Sequence, residues 1–201
     1  MQHTEIVISG AGIYLAPISE TYPEIQATPG GNWALLGSGG DVNLGEDGIT
    51  VSHEQTLNQK RTLGSTGPVK VSRSEENLMI AGVLEDLSLE EYAKILNDVT
   101  VTDVAADADT GGYRHIPMRQ GHDVSTFALL IRGTNASPYG ESYNLQYEVP
   151  VVYQSANPAP VFQKEDSANL EFEFTALEDE NAATDAERFG RVVAQDAAPT
   201  G

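Results

Sequence analysis

The side chains of this chain that could do chemistry are four histidines and 30 acids, and none of its 201 residues is a cysteine. Without a thiol there is no disulfide, no thiolate metal site and no cysteine nucleophile. His3, His53, His115 and His122 are too scattered to pair as ligands on one element, so solvated or hydrogen-bonded rings are the simpler expectation. Asp103, Asp107 and Asp109 with Gly111 approach the spacing of a calcium loop but lack its full acidic alternation and its terminal bidentate glutamate. Glu171 and Glu173 stand two apart on one strand and face the same way, which suits a solvated face and not a carboxylate pair flanking a glycosidic bond. Gly10 and Gly12 follow an apolar run as in a dinucleotide fingerprint, yet Leu15 takes the third glycine's place and no helical pattern follows. Gly64 to Lys70 lacks the Gly-Lys-Ser/Thr ending that sets a lysine and a magnesium ligand on phosphates, and no Gly-x-Ser-x-Gly elbow occurs. The Asn135-Ala136-Ser137 sequon runs into Pro138. The expectation is a chain that is not an enzyme and takes no cofactor or metal.

What the sequence offers instead is charge unevenly placed. The formal net charge is −19, which favours solubility and opposes tight binding to polyanions. Gln55 to Ser74 nevertheless holds Lys60, Arg61, Lys70 and Arg73 and no acid, leaving all 30 acids against 7 basic residues elsewhere. One reading is a loop that happens to be basic. The sharper one is an arm that docks on an acidic surface of another copy.

The elements that would position such an arm can be read from patterning. Ile49, Val51 and Leu57 share a strand face with His53 and Gln55, so the inner face turns polar and the strand is expected to leave the core near His53. The chain returns from Pro68 to Val71, and Asn77 to Leu84 is apolar on both faces. A long hairpin of this kind exposes edge backbone that asks for a partner. A short helix follows, about residues 88–97: Ser88 caps the amide three residues on while Glu91 reaches back, with Leu87 and Tyr92 as a hydrophobic staple. Leu89, Tyr92, Ala93 and Leu96 form its apolar stripe, and Glu90 with Lys94 a favourable i,i+4 pair.

Strands are expected at Thr4 to Ile8, Ile13 to Ile18 and Asp41 to Leu44, the last turning at Gly45 to Gly48. More are expected at Val99 to Val104, Tyr113 to Met118, Phe127 to Arg132, Tyr143 to Tyr153 about Pro150, Val161 to Lys164, Leu170 to Ala176 and Phe189 to Val193. Ser19 to Gly31 reads as a surface loop, Trp33 as a core residue, 103–112 as an acidic loop and 177–187 as a loop or helix turn. Nine or ten strands and one helix point to a mainly β chain, a β-sandwich or barrel with a flanking helix. It reads as a single domain over 1–193 with a flexible tail at 194–201. The first ten residues lack the make-up of a leader and no apolar run approaches the ~20 residues of a membrane span, so a soluble, unexported protein is expected.

Trp33-x-x-x-Gly37, the turn Glu46-Asp47-Gly48-Ile49-Thr50, the return Gly67-Pro68-Val69-Lys70, and the run from Leu84 to Leu96 resemble the tail tube (major tail) proteins of long-tailed bacteriophages and related gene transfer agents. The resemblance is one of pattern, closest over 30–100. It implies a β-sandwich with a flanking helix, six copies closing into a ring through sheet edges, and rings stacked head to tail around a channel for DNA and the tape measure protein. It implies an early loop, here 53–68, that reaches the adjacent ring. The stacking residues would then be Gln59, Lys60, Arg61, Thr62, Lys70 and Arg73, with Glu171 and Glu173 as candidates to face the lumen. The tape measure protein and the tail terminator or tip proteins would be partners, DNA would be in transit only, and the place would be a virion tail assembled in the bacterial host cytoplasm. The long loop at 103–112 and the segment 177–187 depart from the simplest members. The alternative from another class is a stand-alone β-sandwich that binds carbohydrate or calcium on a virion or cell surface. The single Trp argues against it and the acidic loops for it.

Overall fold

The computed structural model describes residues 10–37, 43–85, 87–160 and 168–200. The strands expected at Thr4 to Ile8 and Val161 to Lys164, and the first half of the one at Asp41 to Leu44, lie outside them, as does His3. Among the described residues ten strands and one α-helix are formed: β1 Ala11–Ala16, β2 Ala34–Leu35, β3 Thr50–Lys60, β4 Lys70–Leu84, α1 Leu89–Ile95, β5 Thr102–Val104, β6 Tyr113–His115, β7 Thr126–Gly133, β8 Leu145–Gln154, β9 Leu170–Ala176 and β10 Arg191–Ala194. The chain is mainly β and sandwich-like, as the strand patterning indicated.

All but β5 and β6 join one antiparallel sheet in the order β2-β1-β7-β8-β9-β4-β3, with β10 also on β8. Both ends of that path feed one core. Ile13 and Leu15 of β1 pack with Leu129 and Ile131 of β7, with Phe172 and Phe174 of β9, and with Ile80 and Leu84 of β4. The sheet therefore folds over on itself, and the core sits between its halves. Pro150 marks where it bends. Before it, Leu145 to Glu148 pair with β10; after it, Val152 to Gln154 pair with β9. The register to β7 also slips here, between Phe127 and Leu129. A residue without an amide proton suits the point where the ladder changes partner. Gly190 lets β10 come down on β8: its φ is +105°, and a side chain there would run into the Glu148 carbonyl.

The second face of β7 is covered too, which the alternation did not indicate. Trp33, Ala16, Ala128 and Leu130 form a smaller cluster with Tyr14 and Tyr22, closed by the loop that leads to Trp33. The Trp33 indole donates to the Thr21 carbonyl at 3.0 Å. On the same face Gln146 and Glu148, polar residues that alternate with Leu145, Tyr147 and Val149, are 2% and 3% exposed. Arg132 makes this burial tolerable. It is itself buried and donates to the carbonyls of Ile25 (2.9 Å), Ala27 (2.7 Å) and Glu24 (3.2 Å) and to Gln146 Oε1 (2.6 Å). Gln146 in turn donates to Glu148, whose other oxygen accepts from Arg191 Nε at 2.7 Å. Buried polar groups survive when so paired.

The helix starts where its cap predicts: Ser88 accepts from the Glu91 amide at 3.2 Å. Glu91 does not reach back to Ser88, and this corrects the expected capping box. Its carboxylate is buried and accepts from the Gly37 amide at 3.0 Å and from Lys94 Nζ at 2.9 Å, while Lys94 also donates to the Leu35 carbonyl at 3.2 Å. Gly37, at φ +82°, turns its N–H inward as only a glycine does without strain. The expected Glu90–Lys94 pair is replaced: Glu90 meets Arg114 at 2.7 Å. Ala93, Ile95 and Leu96 are buried while Leu89 is exposed, so the stripe is rotated from the one expected. The end near Asn97 is as expected, and Asn97 at φ +65° binds the Gln120 and Asp123 carbonyls (2.7 and 2.9 Å). At the other terminus the body extends past the expected boundary: Ala194 closes β10 and the Gln195 amide donates to the Asn144 carbonyl at 3.0 Å.

Candidate interaction site

β3 pairs with β4 over its whole length, Thr50 with Ala81 through to Lys60 with Lys70. β9 accompanies β4 only from Met79 to Leu84, and the outer edge of β3 has no partner among the described residues. Beyond His53 and Leu78 the hairpin therefore leaves the sheet as a ribbon, its base at Gln55, Arg73 and Glu76 lining a cleft of about 470 Å³ with Asp185, Phe189 and Arg191. Every residue from His53 to Lys60 and from Lys70 to Asn77 is exposed. The strand leaves the core at His53, as its polar turn indicated. The arm expected over 53–68 is longer on its return side, because β4 rejoins the sheet only at Leu78.

A two-stranded ribbon alone is marginal in water, so the arm must be braced from within. Arg73 is held on the shaft by Gln55 Oε1 (3.0 Å) and Glu76 Oε2 (2.6 Å). Thr56 donates to Glu75 at 3.0 Å beside a bulge at Thr56 and Leu57. At the tip the Val69 amide donates to Lys60 O (2.8 Å), Ser65 N to Thr62 O (3.1 Å) and Ser65 Oγ to Gly67 O (3.0 Å). Arg61 spans the turn to Thr66 O at 3.2 Å and reaches Gln59 at 3.4 Å. The tip is thus held by its own hydrogen bonds, which lowers the entropy a partner must overcome.

The register fixes the two faces. His53, Gln55, Leu57 and Gln59 with Leu78, Glu76, Arg73 and Val71 continue the core face outward. Lys60 and Lys70 lie directly opposite each other on the other face. Like charges so placed weaken a hairpin, and no acid lies between Gln55 and Ser74 to relieve them. Leu57, Val69 and Val71 are about half exposed and Leu63 at the tip wholly so. The apolar exposure of the arm was not read from the sequence, where its charge drew attention; the alternation of Leu57 and Gln59 against Val71 and Arg73 carries it.

The other singled-out residues lie apart from the arm tip. Glu171 is exposed and Glu173 half-buried on the outer face of β9, where Glu173 accepts from Ser155 Oγ at 2.8 Å. Asp103 pairs with Arg114 at 3.5 Å. The Asp107 carboxylate accepts from the amides of Asp109 (2.9 Å) and Thr110 (2.7 Å), which hold its pKa below the usual carboxylate value. His115 stacks on Tyr113 with ring centroids 5.9 Å apart, and among the described residues no three of His, Asp and Glu gather as a metal site. No helix of the described residues is long and apolar enough to cross a membrane. Compared with models of known protein families and with curated proteins, the chain finds no match.

Proposed function

We propose that this chain is a structural subunit that polymerises through its arm, of the kind stacked as rings in the tail tube of a long-tailed phage. The observation that carries the reading is the arm itself: a braced ribbon, basic and free of acids at its far end, on a chain of net charge −19. A monomer gains little from it, since exposed charges contribute only about 0–1 kcal/mol each and four large apolar side chains stand in water. A projecting arm that fits a different surface of the next copy makes a heterologous contact, and such contacts repeat into rings or filaments.

Within this reading Gln59, Lys60, Arg61, Thr62 and Lys70 act at the junction, and Arg73 stiffens the shaft. The bare edge of β3 supports lateral contacts between copies, with sixfold closure taken from the resemblance. Glu171 and Glu173 belong to the acidic outer face of β9, suited to a lumen past which DNA slides without adhering, because binding needs phosphate neutralisation. The tape measure and the terminator or tip proteins are the partners, the virion tail the place of action and the bacterial cytoplasm that of assembly. No catalysis and no cofactor enter. Negative-stain microscopy of the purified protein tests this: rings or tubes of uniform width are expected, and a monodisperse monomer that binds glycan or calcium would overturn it.

A further inference from the structure

We infer that the arm has a second, stowed position, in which its return strand closes onto the free edge of β10 of the same chain and the tip is withheld from a partner. The withholding rests on the polymerising role above; the closure itself does not. β9 and β10 lie end to end along one edge of β8, β9 on Val152 to Gln154 and β10 on Leu145 to Glu148, and both run antiparallel to it. β4 is antiparallel to β9 and pairs with it only from Met79 to Leu84. Carried past Met79, the same edge of β4 runs along β10 and antiparallel to it. Neither the stretch from Lys70 to Asn77 on that edge nor the outer edge of β10 has a strand partner among the described residues. Between them lies the cleft of about 470 Å³, with Arg73, Glu76 and Leu78 on one wall and Asp185, Phe189 and Val192 on the other.

Two unpaired edges of matching direction on either side of one cleft are a template for pairing. The walls also complement each other in charge, Arg73 on the arm against Asp185 on the loop and Glu76 against Arg191. In the open position Arg73 is held by Glu76 at 2.6 Å and Asp185 by Arg188 at 3.1 Å, both exposed pairs, so an exchange of partners costs little. Closure would also cover Val192, which is half exposed on the wall of the cleft. The hinge is the stretch from Arg73 to Leu78, where β4 has left β9 and the bulge opposite Thr56 and Leu57 already breaks the register. Irregular positions of this kind absorb a change of backbone angle. At 3.3 Å per residue Arg73 stands roughly 16 Å from Leu78 and the tip roughly 30 Å, so closing one strand spacing of about 4.8 Å at Arg73 moves the tip by roughly 8–10 Å.

Spin labels on Leu63→Cys and Tyr139→Cys read this movement in a chain with no native cysteine. Both side chains are exposed, and the loop that carries Tyr139 holds the end of β10, with Ser137 Oγ donating to the Gln195 carbonyl. Labelled chain is diluted into an excess of unlabelled chain, so that only distances within one copy are read by pulsed dipolar spectroscopy. Two distances are expected, the shorter by roughly 8–10 Å for the stowed arm. Asp185→Lys sets two cations against each other across the cleft and should deplete the shorter distance by about threefold, the scale of an exposed ion pair. A single distance, or two whose proportions ignore Asp185→Lys, would overturn the stowed arm. Asp185→Lys without labels should also lower the concentration at which particles form, and particles at an unchanged threshold would overturn the withholding. If the distances behave as stated and no particles form at any concentration, the stowed arm stands and the polymerising role alone fails.

Discussion

Glu91 shows how much one side chain can do that a motif does not announce. The spacing Ser88-x-x-Glu91 marks the helix start, and the cap itself forms. The glutamate is drawn elsewhere because Gly37 presents an inward, buried amide to its carboxylate. The two residues should therefore differ in cost. Ser88→Ala should lose about 1 kcal/mol, as a lost cap does. Glu91→Ala should lose about 2–3 kcal/mol, since it strands a buried amide and uncouples Lys94 from the chain before the helix. Urea unfolding of the two variants checks this, and equal losses would mean that the Gly37 contact contributes nothing. Asp107 gives a pH-dependent case. Its folded pKa is lowered by two backbone amides, so what it adds to loop order is present above the ordinary aspartate range and fades as pH falls through the lowered value. A carbon-detected titration should place its midpoint below 3.8, with the Thr110 amide losing protection in the same range. Arg132, Gln146 and Glu148 were not legible in advance. Alternation along β8 says which residues share a face, not whether a loop twenty residues from the N-terminus will lie over that face.

At the scale of elements, the departure of β3 from the core was legible because Ile49 and Val51 give way to His53 and Gln55 on one face. The return was not, because it depends on where β9 begins to pair with β4, a contact between strands about ninety residues apart. The facing lysines of the arm yield a prediction in which two readouts move oppositely. Lys60→Glu replaces a like-charge pair with an attractive one across the ribbon, which should stabilise the hairpin by about 0.2–1 kcal/mol. The same change removes positive charge from the tip and should weaken assembly. Doubling it with Arg61→Glu also removes the brace across the turn, so tube formation should fail while circular dichroism of the body is unchanged. Amide exchange in the arm and particle counts by microscopy report on the two effects separately. If both rise or both fall for Lys60→Glu, the tip charge is not what the junction uses.

For the whole molecule, the β class, the single helix and the projecting hairpin could be read from the sequence because each rests on local periodicity. The folding of one sheet over itself rests on which strands meet, and pairings such as β1 with β7 leave no local signature. The acidic outer face is the other consequence at this scale. With Glu171→Lys and Glu173→Lys the subunit should still fold, since both side chains point away from the core, and tubes lined by that face should retain DNA at low salt. Release equal to that of the parent would put these glutamates on an outer wall. The central claim, that this chain is made to assemble with itself through its arm, is tested most directly by sedimentation velocity of the unmodified protein across a range of concentration and salt. Discrete species larger than the monomer should grow with concentration and shrink as rising salt screens the tip charges. A single monomer boundary at every concentration and at low salt would contradict it.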